Sequence, residues 1–498
     1  MIPLLLGAAV ATATTTTSST AMRMSAPEAP SVHRFGLVVG NNRPVPGSAY
    51  EPLRYADDDA LRFAAFLERF GAHVELLVTA DDDTVDRFGA AVRRAKPPRR
   101  DELERAIDRL IERLEETPAP REVYVYFSGH GSVDAASAYL HLLDGPFHRT
   151  DVYERILARI PRERMHVIID SCHSYFLVNA RGRVKAEPIA ALDQHPDVGF
   201  VLSTSDRREV HEWSGYRAGV FSYQLLGALQ GAADVDGDGR VSYAEMQAYV
   251  VAANLDVVNP RARIRPFVRR PTPNEHPLVD LRELAPRERV VVPSHLGGRL
   301  RVYDGLGFPL LDANKPAGQT LTLMAPRGGL PTLEIEGARF APAIDEGRLA
   351  FTRATDGDAV LAARGAIDDD FRINLFRRPL TSEFVSGMEA ARRIRFAPPP
   401  RDAPRSWTQD PLTIGLGATG VAAVAVGSVF AGLFVDRRAA ANRRPVTDQT
   451  EPARADAESY RTAMAIGLSV GGSLLVTAAL NAWLGRTERA EDEAWTRD

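Results

Sequence analysis

Two short apolar runs, each followed at once by reactive side chains, constrain this chain more than any other feature. Residues 123–127 (VYVYF) run into a turn that contains His130, and residues 166–169 (HVII) run into a turn that contains Cys172. Short β-branched and aromatic runs are typical of strands buried in a parallel sheet. Because ligands and reacting groups collect at the carboxyl ends of such strands, we expect the imidazole and the thiol side by side at one sheet edge.

A thiol beside an imidazole forms a nucleophile and its base. Only the thiolate attacks a carbonyl, and a free thiol titrates at about pH 8.5, so the imidazole of His130 has to take the proton. The N–H groups of Gly131 and Cys172 are predicted to hold the oxyanion. No carboxylate or carboxamide lies beside the histidine in sequence, so we expect a backbone carbonyl to orient it. The alternative is an ordinary loop histidine and a small buried cysteine.

From residue 34 the pattern alternates between strands and helices, which predicts an α/β sheet with right-handed crossovers. Residues 101–117 repeat apolar side chains at helical spacing opposite a charged face, so this helix is expected to pack on the sheet. Residues 73–78 are predicted as a strand and 151–160 as a further helix. Cys172 is the only cysteine, which excludes a disulfide framework. A formal net charge of −4 gives no argument for nucleic-acid binding.

The residues around the His and Cys resemble the caspase-like cysteine peptidases, especially the metacaspase branch and its bacterial relatives. The resemblance rests on Ser-Gly-His-Gly at 128–131 and Asp-Ser-Cys-His-Ser at 170–174. Further similar segments lie at 35–41, 53–60, 201–205 and 219–223, so the resemblance covers residues 33–255. It implies a three-layer α/β/α sandwich and a peptidase that uses the His and the Cys. One departure is Tyr175, a bulky residue where the family has Gly.

The resemblance also implies which residues line the pocket for the residue before the cleaved bond. The residues of this chain that match the pocket positions of the metacaspase branch are Asp170, Ser128 and Asp59. Two carboxylates in a confined pocket favour Arg or Lys through charge-assisted hydrogen bonds. The alternative for Asp170 is that it caps its own turn. The basic segment 179–185 offers residues that such a pocket accepts, so we expect the enzyme to cut itself there, although a plain surface loop is the alternative.

Residues 234–245 (DVDGDGRVSYAE) fit the twelve-residue calcium-loop pattern at each diagnostic position. Carboxylates at positions one, three and five, Gly at six and a bidentate carboxylate at twelve would give Ca²⁺ an all-oxygen cage. Helices are expected on both sides, at 221–229 and 243–252. A single hand is expected to bind at about 0.1 to 1 mM, and the alternative is a loop without metal. The predicted ligands are Asp234, Asp236, Asp238, Arg240 (through its carbonyl), Ser242 and Glu245.

The flanking segments predict an exported chain of several domains. Residues 1–13 form an apolar run that ends in Ala-x-Ala, typical of a secretory signal, although a wrongly assigned start or a disordered leader is the alternative. At 498 residues the chain is long enough for two or three domains. The expected order is a disordered leader (14–32), the peptidase domain (33–270), a linker within 271–286, a β-sandwich (289–378) and a second linker (379–410).

Two uncharged apolar stretches, 411–435 and 462–485, are each long enough to cross a hydrocarbon core of about 30 Å. Their repeated glycines favour close helix packing; a buried helical hairpin is the alternative. The loop between them, 436–461, is rich in Arg, and the tail, 486–498, is acidic. The positive-inside rule puts the loop in the cytoplasm. The peptidase domain is therefore expected on the periplasmic or extracellular side of a bacterial cell envelope.

These patterns together predict a membrane-anchored cysteine endopeptidase that hydrolyses peptide bonds after Arg or Lys. Its expected partners are a protein or peptide substrate and the membrane. The main alternative is an inactive relative in which the fold and the calcium loop bind proteins and Tyr175 closes the cleft. A third possibility is a membrane scaffold whose β-domain binds partners.

Overall fold

The structure is a computed structural model of the full chain. It separates into two compact units, Met1–Arg392 and Arg393–Asp498. Three predicted segments lie outside the described residues: the signal, the leader except for its last residue, and the basic segment 179–185. The described residues are 32–134, 137–178, 192, 194–203, 212–259, 262–272, 276–327, 331–345, 348–353, 366–396, 411–442 and 451–495.

The first region of the chain is built on strands that are, in chain order, β1 (His33–Asn41), β2 (His73–Val78), β3 (Arg121–Gly129), β4 (Gly131–Val133), β5 (Ala138–His141), β6 (Pro146–His148), β7 (Arg164–Asp170), β8 (Val198–Leu202), β9 (Glu212–Trp213), β10 (Ala218–Gly219), β11 (Arg240–Val241), β12 (Phe267–Arg269) and β13 (Val279–Asp280). Six of them form a mixed sheet in the order β12-β8-β7-β3-β1-β2. Its pairs are parallel except for β12, which runs antiparallel to β8. The carboxyl ends of β3 and β7 therefore meet at one edge.

Helices cover both faces of this sheet. Because side chains alternate across a strand, Val125 and Tyr126 of β3 point to opposite faces, and both are buried. Tyr126 joins a core with Phe63 and Phe221, whereas Val125 joins a second core with Leu110. The α/β prediction is confirmed. The helices are α1 (Ala56–Glu68), α2 (Asp82–Arg94), α3 (Arg100–Glu115), α4 (Arg149–Asp151), α5 (Tyr175–Val178), α6 (Val220–Gly227), α7 (Tyr243–Asn254), α8 (Ala366–Asn374), α9 (Ser382–Phe396), α10 (Pro411–Asn442) and α11 (Glu451–Trp495), with π-helical turns at Val152–Leu157 and Ala228–Ala232.

The amphipathic helix predicted at 101–117 is α3. Its buried side chains follow the predicted apolar stripe, and its charged face stays outside. The helix predicted at 151–160 is the short α4 continued by the π-helical turn Val152–Leu157. Both elements pack against the same face of the sheet, in the core that contains Leu110 and Ile156.

The C-terminal β region consists of β14 (Arg289–Val292), β15 (Gly298–Tyr303), β16 (Pro309–Lys315), β17 (Leu321–Met324), β18 (Thr332–Ile335), β19 (Ala338–Asp345) and β20 (Arg348–Arg353). These strands form one seven-stranded sheet in the order β16-β15-β18-β19-β20-β14-β17, which corrects the predicted two-sheet sandwich. Leu300 and Leu311 of this sheet share a core with Phe221 of α6. Alternation of apolar and polar residues identifies a strand with one buried face, but it does not show which element covers that face. In this chain, helices of the first region cover part of the buried face of the C-terminal sheet.

Two segments that were predicted as linkers contain structured elements among their described residues. Within 271–286, Leu278 and Leu281 are buried, and β13 is followed by a 3-10 turn at Leu281–Glu283. Within 379–410, helix α9 begins at Ser382, and its Phe384 packs against the core that contains Phe221. Proline and polar residues dominate the composition of these segments, so their few apolar anchors are not evident from sequence.

The second unit contains α10 and α11. Within them, the stretches Ala418–Asp436 and Glu458–Ala479 have mean hydropathies of 2.0 and 1.6. Both stretches are long and apolar enough to cross a membrane. A Cβ on Gly467 would lie 2.8 Å from the Cα of Gly427. The small residues therefore allow the two helix backbones to approach closely, as the sequence predicts.

Candidate active site

The residues that follow β3 and β7 come together at the carboxyl edge of the central sheet. The two strands are parallel neighbours, and Ser128 pairs with Asp170 at their ends. His130 and Cys172 each stand two residues beyond this pair. A Cβ placed on Gly131 would lie 2.2 Å from the carbonyl oxygen of Cys172, so the two backbones are in direct contact. The three predicted catalytic residues thus share one sheet edge.

A backbone carbonyl orients the His130 ring. Its Nε2 lies 2.9 Å from the carbonyl oxygen of Glu51, and because a carbonyl only accepts, Nε2 carries the proton and donates. Nδ1 is then the acceptor of the neutral ring. Tyr50 stacks on the imidazole, with centroids 5.3 Å apart and planes at 23°. Burial lowers the pKa of His130, although the hydrogen bond to Glu51 raises it, so the ring is neutral at pH 7.

The segment that supplies Glu51 is held at two points. Glu212 in β9 accepts a hydrogen bond from the N–H of Tyr55 at 2.8 Å. The Nδ1 of His141 accepts one from the N–H of Val45 at 3.0 Å. Burial lowers the pKa of His141 to about 4, which keeps this nitrogen an acceptor at neutral pH. Sequence reasoning missed these contacts because they join backbone groups to residues distant in the chain.

Cys172 lies in a tight turn between β7 and α5. His173 has a φ of 59°, a left-handed conformation that is uncommon for a residue with a Cβ. A hydrogen bond holds the start of the turn, because the N–H of Ser171 donates to the Oγ of Ser203 at 3.2 Å. Cys172 is half-buried as a residue. The turn therefore places Cys172 just beyond a strand that is buried from Met165 to Asp170.

Two buried carboxylates, Asp59 in α1 and Asp170 in β7, converge on Gly219 at the start of α6. A Cβ on Gly219 would lie 2.9 Å from Oδ2 of Asp59 and 3.0 Å from Oδ2 of Asp170. The first oxygen accepts from the N–H of Gly219 at 2.9 Å. The second accepts from the Oγ of Ser222 at 2.6 Å and from its N–H at 3.1 Å. The structure thus brings together Asp59 and Asp170, with Ser128 beside the latter.

This acidic pair keeps unused acceptors. The Oδ1 atoms of Asp59 and Asp170 are buried and have no hydrogen-bond partner among the described residues. Burial raises the pKa of Asp59 well above its usual range, and the nearby Asp170 adds to the increase. Burial also raises the pKa of Asp170 to about 6, although hydrogen bonds from Ser222 lower it. Asp170 therefore accepts from the first turn of α6, which replaces the alternative in which it caps its own turn.

Tyr175, the departure from the family pattern, packs against the hydrophobic core. Its ring makes an edge contact with Phe267, with centroids 5.5 Å apart and planes at 63°. Phe267 belongs to β12, the edge strand that lies two strands away from β7. The Tyr175 ring is thus used in packing at the sheet edge, on the side of β7 away from β3 and His130.

The predicted metal ligands are partly assembled. Asp234, Asp236 and Glu245 each place one carboxylate oxygen within 4.8 Å of the others. Asp238 lies outside this group of three, and its Oδ1 accepts a hydrogen bond from the N–H of Arg240 at 2.7 Å. Ser242 caps the N-terminus of α7, where its Oγ accepts from the N–H of Glu245 at 3.2 Å. These oxygens are of the type that binds Ca²⁺.

A mixed sheet covered by helices on both faces, with a histidine and a cysteine after neighbouring strands, defines a caspase-like α/β protein. Residues 33–267 match the family model of the caspase domain. This match to a caspase domain confirms the resemblance read from the sequence.

Solved structures similar to this chain include protein GSU0716 from Geobacter sulfurreducens, at 18% identity over 49% of this chain and 95% of that one, with a TM-score of 0.33. Caspase-1 from Spodoptera frugiperda is similar at 13% identity over 48% of this chain and 88% of its own, with a TM-score of 0.31. A comparison with curated proteins gives no match.

Proposed function

We propose that the chain is a cysteine endopeptidase in which Cys172 is the nucleophile and His130 is the base. The observation that carries the proposal is the shared strand register, which puts both residues two positions beyond one pair at the ends of β3 and β7. The contact of Gly131 with the carbonyl of Cys172 supports it. The match of residues 33–267 to the caspase-domain family model supports it as well.

The geometry suggests an order of proton transfers. Because Nε2 of His130 is committed to Glu51, Nδ1 is the nitrogen that accepts the thiol proton. The thiolate of Cys172 attacks the peptide carbonyl carbon, and the N–H groups of Gly131 and Cys172 hold the resulting oxyanion, each worth roughly 3 kcal/mol. The imidazolium then returns the proton to the leaving amine as the C–N bond breaks. Water hydrolyses the remaining thioester, with His130 again as base.

Cleavage after Arg or Lys is part of the proposal. The buried Oδ1 atoms of Asp59 and Asp170 have no hydrogen-bond partner among the described residues. A guanidinium or ammonium group would donate to such oxygens and favour their ionised form. Ser128, paired with Asp170 at the end of β3, would add a hydroxyl beside these carboxylates.

Membrane attachment through α10 and α11 completes the proposal. Both helices contain windows of sufficient length and hydropathy to span a bilayer. The Arg-rich segment between them would then lie in the cytoplasm, and the peptidase domain on the other side of the membrane of a bacterial cell envelope.

Paired peptide substrates test the proposal. The full chain, purified in a mild detergent, should cleave a peptide substrate with Arg before the scissile bond at least ten times faster than a matched substrate with Asp at that position. Cys172→Ala should abolish the reaction, and a peptidyl electrophile should label Cys172 in the wild type. A wild-type chain that neither cleaves nor is labelled would favour the inactive relative instead. The packing of Tyr175 on Phe267 argues against that alternative, because it removes the supposed obstruction.

A further inference from the structure

The loop 234–245 contains an orphaned buried acceptor. Asp234 is only 4% exposed, and its Oδ2 accepts from the N–H of Gly239 at 3.1 Å. Its Oδ1 is buried without a hydrogen-bond partner among the described residues. Buried polar atoms are nearly always satisfied, so such an exception requires an explanation. One oxygen of this carboxylate lies within 4.8 Å of carboxylate oxygens from Asp236 and Glu245.

The charges of this group favour a bound cation. Asp234, Asp236 and Glu245 each bring one carboxylate oxygen within 4.8 Å of the others, and like charges this close repel one another. A cation among these carboxylates would offset that repulsion. Because the side-chain donors in the group are all oxygens, Ca²⁺ suits them better than Zn²⁺, which prefers nitrogen and sulfur.

The backbone of the loop is already bent around the group. Gly237 and Gly239 have φ values of 73° and 81°, in the left-handed region that glycine adopts without steric cost. The N–H of Gly239, at the sixth loop position, points to the first ligand, Asp234. The sharp turn that a calcium loop needs is therefore present before any ion binds.

A short strand from elsewhere in the chain pairs with the loop. β11 runs antiparallel to β13, with Arg240 opposite Asp280. The N–H of Leu281 donates to the carbonyl oxygen of Gly239 at 2.8 Å, and the N–H of Leu278 donates to that of Val241 at 2.7 Å. In a pair of calcium hands, each loop obtains such a strand from the other hand. The sequence predicted a single hand, but β13 occupies the place of the missing partner.

We propose that residues 234–245 form a calcium site whose partner strand is Val279–Asp280 of the same chain. The site does not depend on the proposed peptidase activity. Because β13 holds the loop in shape before binding, we expect a dissociation constant below about 0.1 mM, tighter than that of extracellular modules. Calcium then joins the entry to α7 to the segment that leads into the C-terminal sheet, so its effect falls on stability.

Calcium titration of the full chain in detergent, after removal of metal with a chelator, tests the site. Calorimetry should show one Ca²⁺ per chain. At a hundred times the dissociation constant, the ratio of folded to unfolded protein should rise about 100-fold, or about 2.7 kcal/mol. Asp236→Asn keeps the oxygen that accepts from the N–H of Asp238 but removes a charge, so binding should weaken at least tenfold. Asp108→Asn, an exposed acid of α3, should bind like the wild type.

Hydrogen exchange tests the partner strand separately. Calcium should slow exchange of the amides of Leu278 and Leu281, which donate to the loop, in the wild type but not at the same concentration in Asp236→Asn. Two results would overturn the proposal: a wild type that neither binds nor is stabilised by several millimolar calcium, or an Asp236→Asn chain that responds as fully as the wild type. Binding without added protection at Leu278 and Leu281 would disprove the role of β13.

Discussion

A methyl group at Gly131 should disable the site without removing any reacting group. In Gly131→Ala, the new Cβ would lie 2.2 Å from the carbonyl oxygen of Cys172 and 2.7 Å from the Oγ of Ser171. Real Cβ atoms stay at least 3.0 Å from such neighbours, so the two turns have to separate by about 0.8 Å. Misplacement of reacting groups by about 1 Å costs roughly 100-fold in rate. We therefore expect kcat/KM for an Arg peptide to fall about 100-fold.

The same variant allows geometry to be separated from stability. Overpacking costs about 1–3 kcal/mol, so Gly131→Ala should melt only a few degrees below the wild type and still bind substrate. Gly145→Ala is the matched control, because a Cβ there meets nothing within 4 Å, and it should keep full activity. If Gly131→Ala cleaves the Arg peptide as fast as the wild type does, the contact between the two turns is irrelevant to catalysis and the assignment of the oxyanion donors is wrong.

Three further predictions concern the surroundings of the thiol. Because burial lowers the pKa of His130 from 6.5, the acid limb of kcat/KM against pH should have its midpoint below 6.5. Tyr50→Ala should move this midpoint upward, because it exposes the imidazole of His130, while Tyr50→Phe should leave the midpoint unchanged. Asp59→Asn and Asp170→Asn should each lower kcat/KM for the Arg peptide about tenfold or more, while Cys172 remains open to a small alkylating agent; equal cleavage of Arg and neutral peptides by the wild type would contradict this. Tyr175→Gly should lower the melting temperature through lost packing on Phe267 and change kcat/KM less than about threefold; a large gain in activity would instead show that the ring limits access.

The sequence predicted the site best where chemistry depends on residue type at a strand end. His130 and Cys172 were found because buried parallel strands have a recognisable composition and because reactive residues at their ends meet at one edge. Asp170 was identified through the family resemblance instead, and its strand position is fixed by its pairing with Ser128. Loop 234–245 was found for a similar reason, since its ligand spacing is local.

Contacts between distant segments were not predictable in this way. The carbonyl of Glu51 that orients His130 has no residue signature, and neither Glu212 nor Ser222 is marked by any local pattern. The C-terminal strands were recognised by alternation, yet their single sheet was not, because a strand pattern does not reveal its pairing partners. For the same reason β13 was not predicted, because its two residues form a strand only by pairing with the loop 234–245.

The opposite end of the central sheet is where we expect stability to be concentrated. Glu122, at the start of β3, is 3% exposed and accepts from Arg34 at 2.9 Å and from Arg164 at 2.7 Å. Burial raises its pKa, but a hydrogen bond from His166 and these positive charges outweigh burial and lower the pKa from 4.5 to about 2. At 1.36 kcal/mol per pKa unit, the ionised carboxylate contributes about 3 kcal/mol of stability.

Since the pKa is depressed in the folded state, this stability is fully present above about pH 4.5 and is lost as the pH falls toward 2. Glu122→Gln should therefore lower the free energy of unfolding by about 3 kcal/mol at pH 7, measured by urea denaturation of the full chain, and the gap to the wild type should narrow between pH 4 and pH 3. Glu163→Gln, which breaks an exposed pair with Arg121, should cost less than about 1 kcal/mol. A gap for Glu122→Gln that stays constant down to pH 3 would mean that the buried charge is not the source of the stability, because an uncharged role would not titrate.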